Sequence, residues 1–129
     1  MNDTDRMVTD FERGYITTML WSSTDDDGEP LDAKYDYRDL APETSAKITE
    51  DCRAFWGAQY LNALSSRQPS EEWSVEELAG HDFWLTRNGH GAGFWDGDWG
   101  EAGDALTAAS KVFGECDPYI GDDGLIYLA

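Results

Sequence analysis

The stretch from Pro42 to Arg67, PETSAKITEDCRAFWGAQYLNALSSR, is the feature that most constrains the fold. Its apolar residues recur at the spacing of one helical face over about seven turns. Pro42 suits the first position of a helix, because the N–H that proline lacks has no partner there. We therefore predict one long helix as the spine of the fold. Its predicted buried stripe comprises Ile48, Cys52, Phe55, Trp56 and Ala63.

Three shorter segments also have helical patterns. Residues 9–21 follow a possible Thr9 or Asp10 cap and are predicted to end near Trp21. Residues 74–80, SVEELAG, are predicted to form a short helix that is capped by Ser70 or Ser74 and stops at Gly80. Residues 101–114 form the fourth predicted helix. The predicted apolar faces of the first and last of these helices comprise Phe11, Tyr15, Ile16, Met19, Leu20, Leu106, Ala109, Val112 and Phe113.

The stretch HDFWLTRNGHGAGFWDGDWG, residues 81–100, has the alternation and glycine-rich centre of a β-hairpin. Its turn is either Asn88-Gly89 or Gly89-His90. The two registers place the same side chains together, because they differ by an even number of residues. In both, one face, expected to pack on the long helix, carries Phe83, Leu85 and Phe94, and the other carries Trp84 and Trp95.

The C-terminal stretch PYIGDDGLIYLA predicts a second hairpin. An Asp123-Gly124 turn would set Ile120 opposite Tyr127 and Tyr119 opposite Leu128. The predicted class is α+β, with a small antiparallel sheet of two hairpins packed against about four helices, one of them long. A chain of 129 residues suffices for one core, so residues 1–129 are interpreted as a single acidic globular domain.

Charge is the most unusual property of the composition. The chain has 27 Asp and Glu against 9 Lys and Arg, a formal net charge of −18. A small domain needs a net charge of only about 2 to 8 for solubility, and a larger charge costs stability through self-repulsion. The many aromatic residues exclude an acidic disordered segment. Acids exceed bases in every part of the chain, which indicates a coat of carboxylates on a folded surface.

The densest acidic run is DDDGEPLDAKYDYRD, residues 25–39, in a predicted long loop over residues 22–40. We call residues 25–39 the acidic segment. Its carboxylates are the predicted partner-binding residues: Asp25, Asp26, Asp27, Glu29, Asp32, Asp36 and Asp39. The alternative is that they form an ordinary solvated loop.

Several other chemistries lack the necessary pattern. Glycine-rich phosphate loops stand between a strand and a helix with defined spacing, which GHGAGF does not have. His81 and His90 are interpreted as a strand-start hydrogen-bonding residue and a turn residue, with no further zinc ligands at suitable spacing. A calcium loop over residues 23–34 would put Lys34 where a bidentate glutamate is needed. The sequence also lacks a recognisable nucleophile arrangement, so we expect no enzyme activity, no cofactor and no metal site.

The sequence lacks a membrane-spanning segment and a signal-peptide pattern, which favours the cytoplasm. The two cysteines fit that compartment, because they have no ligand spacing and are interpreted as buried thiols. Cys52 falls in the long helix and Cys116 in a connection.

The block GHDFWLTRNGHGAGFWD, with LAPET upstream and YIGDDGLIY downstream, resembles a family of small acidic proteins encoded by bacteriophages and mobile elements. The likeness covers roughly residues 15–128. It implies a phage or prophage origin, a host-cell location and no established catalytic residues.

Charge and this context together predict a phage-encoded inhibitor of the anti-CRISPR or anti-restriction kind. Its expected partner is a basic nucleic-acid-binding host protein, such as a CRISPR effector or a restriction enzyme, bound by nucleic-acid mimicry. Neither direct nucleic-acid binding nor membrane binding is expected. The alternative is a non-catalytic accessory protein of phage replication or DNA handling, whose acidity prevents binding to nucleic acid.

Overall fold

The computed structural model describes residues 9–90 and 92–129. Its four helices are α1 (Asp10–Ser22), α2 (Pro42–Leu64), α3 (Val75–Arg87) and α4 (Gly103–Lys111). Two short antiparallel strands follow, β1 (Pro118–Ile120) and β2 (Ile126–Leu128). Single 3-10 turns cover Leu31–Ala33, Tyr37–Asp39, Phe94–Asp96 and Gly100–Ala102. The α+β class is confirmed. Two hairpins were predicted, and the described residues contain one of them, formed by β1 and β2.

Helix α1 begins and packs as its sequence predicts. The Thr9 hydroxyl accepts a hydrogen bond from the Glu12 N–H at 3.1 Å, which satisfies one of the unpaired donors at a helix start. The helix ends one residue after Trp21, whose side chain is exposed. All five residues of its predicted apolar face are buried, so α1 contributes one full side of the core.

Helix α2 runs for 23 residues from Pro42 and supplies the centre of the core. Of its predicted stripe, Trp56 is partly buried and the other four residues are fully buried. The ring of Phe55 stacks on Phe83 with centroids 4.2 Å apart and lies 5.7 Å from Phe94. Stacked rings of this size bury much of the apolar area that stabilises a small domain.

The hairpin predicted over residues 81–100 is wrong, because α3 continues through Gly80 to Arg87. A capping box fixes the start of α3, as its sequence indicates. The Ser74 hydroxyl accepts from the Glu77 N–H at 3.1 Å, and the Glu77 carboxylate accepts from the Ser74 N–H at 3.0 Å. The region predicted as a β-ribbon is therefore half of a central helix followed by irregular chain and two 3-10 turns.

Gly80 does not stop the helix, because it lies where α1 crosses α3. A Cβ atom on Gly80 would overlap sterically with the Phe11 carbonyl oxygen and lie 2.8 Å from the Tyr15 nitrogen. On the other side of the crossing, a Cβ on Gly14 would overlap sterically with the Glu77 carbonyl oxygen. The two glycines thus let the two backbones approach closely.

The Asn88-Gly89 pair ends α3 instead of turning a hairpin. Gly89 has φ +70°, its N–H donates to the Thr86 carbonyl at 3.1 Å, and the His90 N–H donates to the Leu85 carbonyl at 3.0 Å. These two bonds form a Schellman cap, which needs a positive φ just as a type I′ turn does. The same dipeptide therefore fits both structures.

The predicted burial of Phe83, Leu85 and Phe94 is confirmed, although the two-faced ribbon behind it is wrong. Trp84, assigned to the opposite face, is only 1% exposed, whereas Trp95 is 38% exposed. Every residue from 82 to 87 is buried. This half of α3 is therefore enclosed on all sides by the rest of the fold.

The C-terminal hairpin exists, but its predicted register is off by one residue. Ile120 pairs with Ile126 and Tyr119 with Tyr127. The Gly121 N–H donates to the Leu125 carbonyl at 2.8 Å, which leaves Asp122, Asp123 and Gly124 as a three-residue turn. Gly124 takes φ +81°, as the last position of such a turn requires.

Helix α4 is shorter than its prediction over residues 101–114. Leu106 is buried, and Ala109 and Phe113 are partly buried against the core. Val112, predicted on the same face, is instead 84% exposed at the end of the helix. No helix in residues 9–90 and 92–129 is long and apolar enough to cross a bilayer.

Candidate functional site: the acidic segment

The acidic segment is separated from the end of α1 by two residues and begins as a tight turn. The Asp25 N–H donates to the Glu29 carbonyl at 2.9 Å, and the Gly28 N–H donates to the Asp25 carbonyl at 3.0 Å. Gly28 has φ +83°, a conformation that glycine adopts without strain. The turn therefore holds Asp26 and Asp27 at its tip.

Asp25 shapes this turn more than it presents its charge to solvent. Its carboxylate accepts from the Asp27 N–H at 2.9 Å and from the Glu29 N–H at 3.0 Å. Its side chain is only 11% exposed, and the Lys34 ammonium lies 3.8 Å away. Of the predicted contact residues, Asp25 is therefore a positioning residue.

Asp36 and Asp39 are similarly engaged at the other end of the acidic segment. Asp36 accepts from the Arg38 N–H at 2.8 Å and pairs with the Arg38 guanidinium, while its own N–H donates to Asp39 at 2.9 Å. The hydrogen bonds from Arg38 lower the pKa of Asp36. These two carboxylates cap the 3-10 turn at Tyr37–Asp39.

Four predicted contact residues remain exposed: Asp26, Asp27, Glu29 and Asp32. Glu29 has a cation nearby, since the Lys34 ammonium lies 3.9 Å from its carboxylate. That pair is solvent-exposed and therefore weak. The structure thus divides the seven predicted residues into three that build the segment and four that face solvent.

The structure connects the end of the acidic segment to a second acidic turn, which sequence reasoning did not include. The Ala41 N–H donates to the Ile126 carbonyl at 3.0 Å, so β2 runs beside the residues that follow Asp39. The turn of that hairpin carries two exposed carboxylates, Asp122 and Asp123. Its DDG sequence repeats the DDG of residues 26–28, and that repetition was the available signal.

Asp123 resembles Asp25 in stabilising its own turn. Its carboxylate accepts from the Leu125 N–H at 3.0 Å and from the Tyr127 hydroxyl at 2.6 Å. The shared hydrogen bond lowers the pKa of Asp123 and raises the pKa of Tyr127 to about 12. Asp123 therefore stabilises this turn, and both Asp122 and Asp123 remain exposed.

Neither histidine lies in a hairpin as predicted, although the predicted hydrogen bonding of His81 is confirmed. His81 lies in α3, where its Nδ1 is 2.8 Å from the Asp82 carboxylate, which also accepts from Trp99 Nε1 at 2.5 Å. His90 follows the Schellman cap and lines a surface pocket of about 560 Å³ together with Thr24, Glu115 and Asp117. Within residues 9–90 and 92–129, no three His, Cys, Asp or Glu side chains are grouped so that they could hold a metal ion.

Both cysteines are free and buried, as predicted. Burial is the main cause that raises the pKa of each thiol, and the effect is larger for Cys52. A thiol needs a lowered pKa and access to solvent to act as a nucleophile. Cys52 and Cys116 have the opposite properties.

Comparisons with protein-family models, curated proteins and solved structures find no match to this chain.

Proposed function

We propose that this protein is an inhibitor of a basic host protein that binds nucleic acid. The inhibitor occupies the nucleic-acid-binding groove of that host protein. The host protein belongs to a defence system of the CRISPR or restriction type, and the inhibitor is encoded by a phage and acts in the host cytoplasm. The observation that carries the proposal is the acidic segment, in which Asp26, Asp27, Glu29 and Asp32 face solvent on internally bonded turns. No catalytic residue, cofactor or metal is part of the proposal.

The physical basis is a match between two arrays of negative charge. Duplex DNA carries one negative charge per ~1.7 Å of its axis, and a binding groove presents lysines and arginines to that array. A fixed turn offers carboxylates to the same cations without first having to order its backbone, which lowers the cost of binding. The net charge of −18 adds long-range attraction, which speeds association with a basic surface.

An exposed aromatic side chain within the acidic segment supports the same assignment. Tyr37 is 59% exposed between Asp36 and Arg38. Tyrosine supplies a large apolar contact with a hydrogen-bonding hydroxyl, and it is enriched where protein interfaces bind most strongly. Carboxylates that steer and a tyrosine that anchors are the two components a competitive inhibitor needs.

The test removes the four exposed charges and leaves the positioning residues Asp25, Asp36 and Asp39 in place. The partner is captured from host lysate on the wild-type protein at low salt and then purified. We expect association roughly tenfold slower for the test variant at low salt, with less difference at high salt, because these charges act through steering. The test variant carries Asp26→Asn, Asp27→Asn, Glu29→Gln and Asp32→Asn.

A control variant removes four exposed charges outside the acidic segment and thus has the same net charge. It should keep most of the wild-type association rate. Equal association rates for the wild type and the test variant would contradict the proposal for this segment, and equal losses in both variants would assign the effect to net charge alone. The control variant carries Glu71→Gln, Glu72→Gln, Glu101→Gln and Asp104→Asn.

A further inference from the structure

The second half of α2 is free of charge in an otherwise strongly charged protein. After Arg53 the next charged residue is Arg67. Three large apolar side chains of this half are exposed: Leu61 by 68%, Leu64 by 45% and Tyr60 by 42%. Contiguous apolar surface of this kind marks interaction sites, whereas apolar residues scattered singly do not.

Leu61 and Leu64 belong to a regular seam of exposed residues along the helix. Ala54, Gly57, Leu61 and Leu64 recur at intervals of three, four and three residues, and all four are exposed. Apolar residues at this spacing form the contact seam of a two-helix coiled coil. The buried side chains of the same half, including Phe55 and Ala63, lie on the other side of α2, so the seam faces away from the core.

The seam is complementary to an antiparallel copy of itself. Ala54 and Leu64 are equally distant from Gln59 in the sequence, and so are Gly57 and Leu61. A two-fold axis that crosses the seam at the height of Gln59 would therefore set each leucine of one copy against a small residue of the other, as a symmetric interface requires. A Cβ on Gly57 would meet nothing within 4 Å, so the space that Leu61 of a second copy would fill is open.

We infer that this seam is the interface between two copies of the protein. Two chains of net charge −18 repel each other, and they approach with least repulsion across a surface without charge. A cationic partner would gain no attraction from such a surface, so charge favours a second copy as the occupant. This inference does not depend on the partner of the acidic segment.

Sedimentation equilibrium of the full chain tests the interface. We expect a monomer–dimer equilibrium whose dimer becomes tighter as NaCl rises from low to high concentration, because salt screens the repulsion between the copies. Binding of a basic partner through the acidic segment should change with salt in the opposite direction. A chain that stays monomeric at every concentration and salt level, or a dimer that weakens as salt rises, would overturn the inference.

Two matched variants locate the interface. Leu61→Asp places a charge in the seam and should weaken the dimer at least about tenfold, the equivalent of 1.4 kcal/mol. Val112→Asp adds the same charge at a side chain that is 84% exposed outside the seam, and it should leave dimerisation close to wild type. Equal effects of the two changes would contradict the assignment, and circular dichroism of both variants checks that α2 remains folded.

Discussion

Asp51 illustrates how this protein accommodates charge in its interior. One carboxylate oxygen of Asp51 accepts from both the Arg87 guanidinium at 2.8 Å and the Lys47 ammonium at 2.9 Å. Arg87 is buried and also donates to the Tyr15 hydroxyl and to the backbone carbonyls of Phe113 and Gly114. A buried guanidinium with this many acceptors fixes the relative positions of α1, α2, α3 and the chain after α4.

The two cations that share Asp51 provide a matched comparison at the scale of single residues. Arg87→Met should lower the free energy of unfolding by about 3–5 kcal/mol, because it removes one partner of a buried ion pair. Lys47→Met should cost at most about 1 kcal/mol, because the Lys47 side chain is 51% exposed. Urea unfolding of both variants measures the difference. Similar losses would mean that Arg87 does not hold the elements together.

At the scale of elements, α1 and α3 cross with their backbones in close contact at two glycines. The contact between Gly14 and the Glu77 backbone, and between Gly80 and the Phe11 backbone, leaves no room for a side chain on either glycine. Gly57, in contrast, is a helical glycine on an exposed surface with open space around it. Alanine at Gly14 or Gly80 is therefore expected to destabilise the protein, whereas alanine at Gly57 is expected to stabilise it.

Gly80→Ala should destabilise the protein by about 1–3 kcal/mol, because the added methyl group forces two packed backbones apart. Gly57→Ala should stabilise it by about 0.5–1 kcal/mol, because alanine restricts the unfolded chain and meets no obstacle. Both values are read from urea unfolding at a protein concentration low enough to keep the chain monomeric. A neutral or stabilising Gly80→Ala would contradict the close crossing.

The way each helix is buried explains which elements could be predicted from the sequence. Helices α1 and α2 each have a buried face and an exposed face, so their apolar residues recur with the helical period. Residues 82–87 of α3 are buried on every side, which removes that period and leaves a short run that fits a strand equally well. Gly80 was predicted to end the helix because the local sequence does not show its contact with Phe11, which lies in another helix.

The acidic segment itself is visible in the sequence, but the different roles of its carboxylates are not. A run of seven acids within residues 25–39 is visible in the sequence, as is the turn chemistry of Asp and Gly. The turn-stabilising roles of Asp25, Asp36 and Asp39 depend on backbone N–H groups that meet their carboxylates only in the folded chain. Arg87 and Asp51 pair across a gap in sequence that no local pattern spans.

At the scale of the whole molecule, the seam of α2 differs from the acidic surfaces because its residues carry no charge. Carboxylates face solvent on the acidic segment, on the hairpin turn at Asp122 and on the chain around α4, while the seam of α2 has none. Such a pattern favours attraction of a basic protein over most of the surface and contact with a second copy at the seam. The two proposed modes of association should respond to salt in opposite directions.

Competition with nucleic acid tests the central claim of nucleic-acid mimicry most directly. The captured partner is bound to a labelled duplex or single strand at low salt, and the protein is titrated in while fluorescence anisotropy reports the fraction of nucleic acid still bound. We predict complete displacement, with the apparent affinity reduced in proportion as nucleic acid is increased, because both ligands occupy one groove. A partner that holds the protein and the nucleic acid at the same time, each with unchanged affinity, would contradict mimicry and favour an accessory role in phage DNA handling.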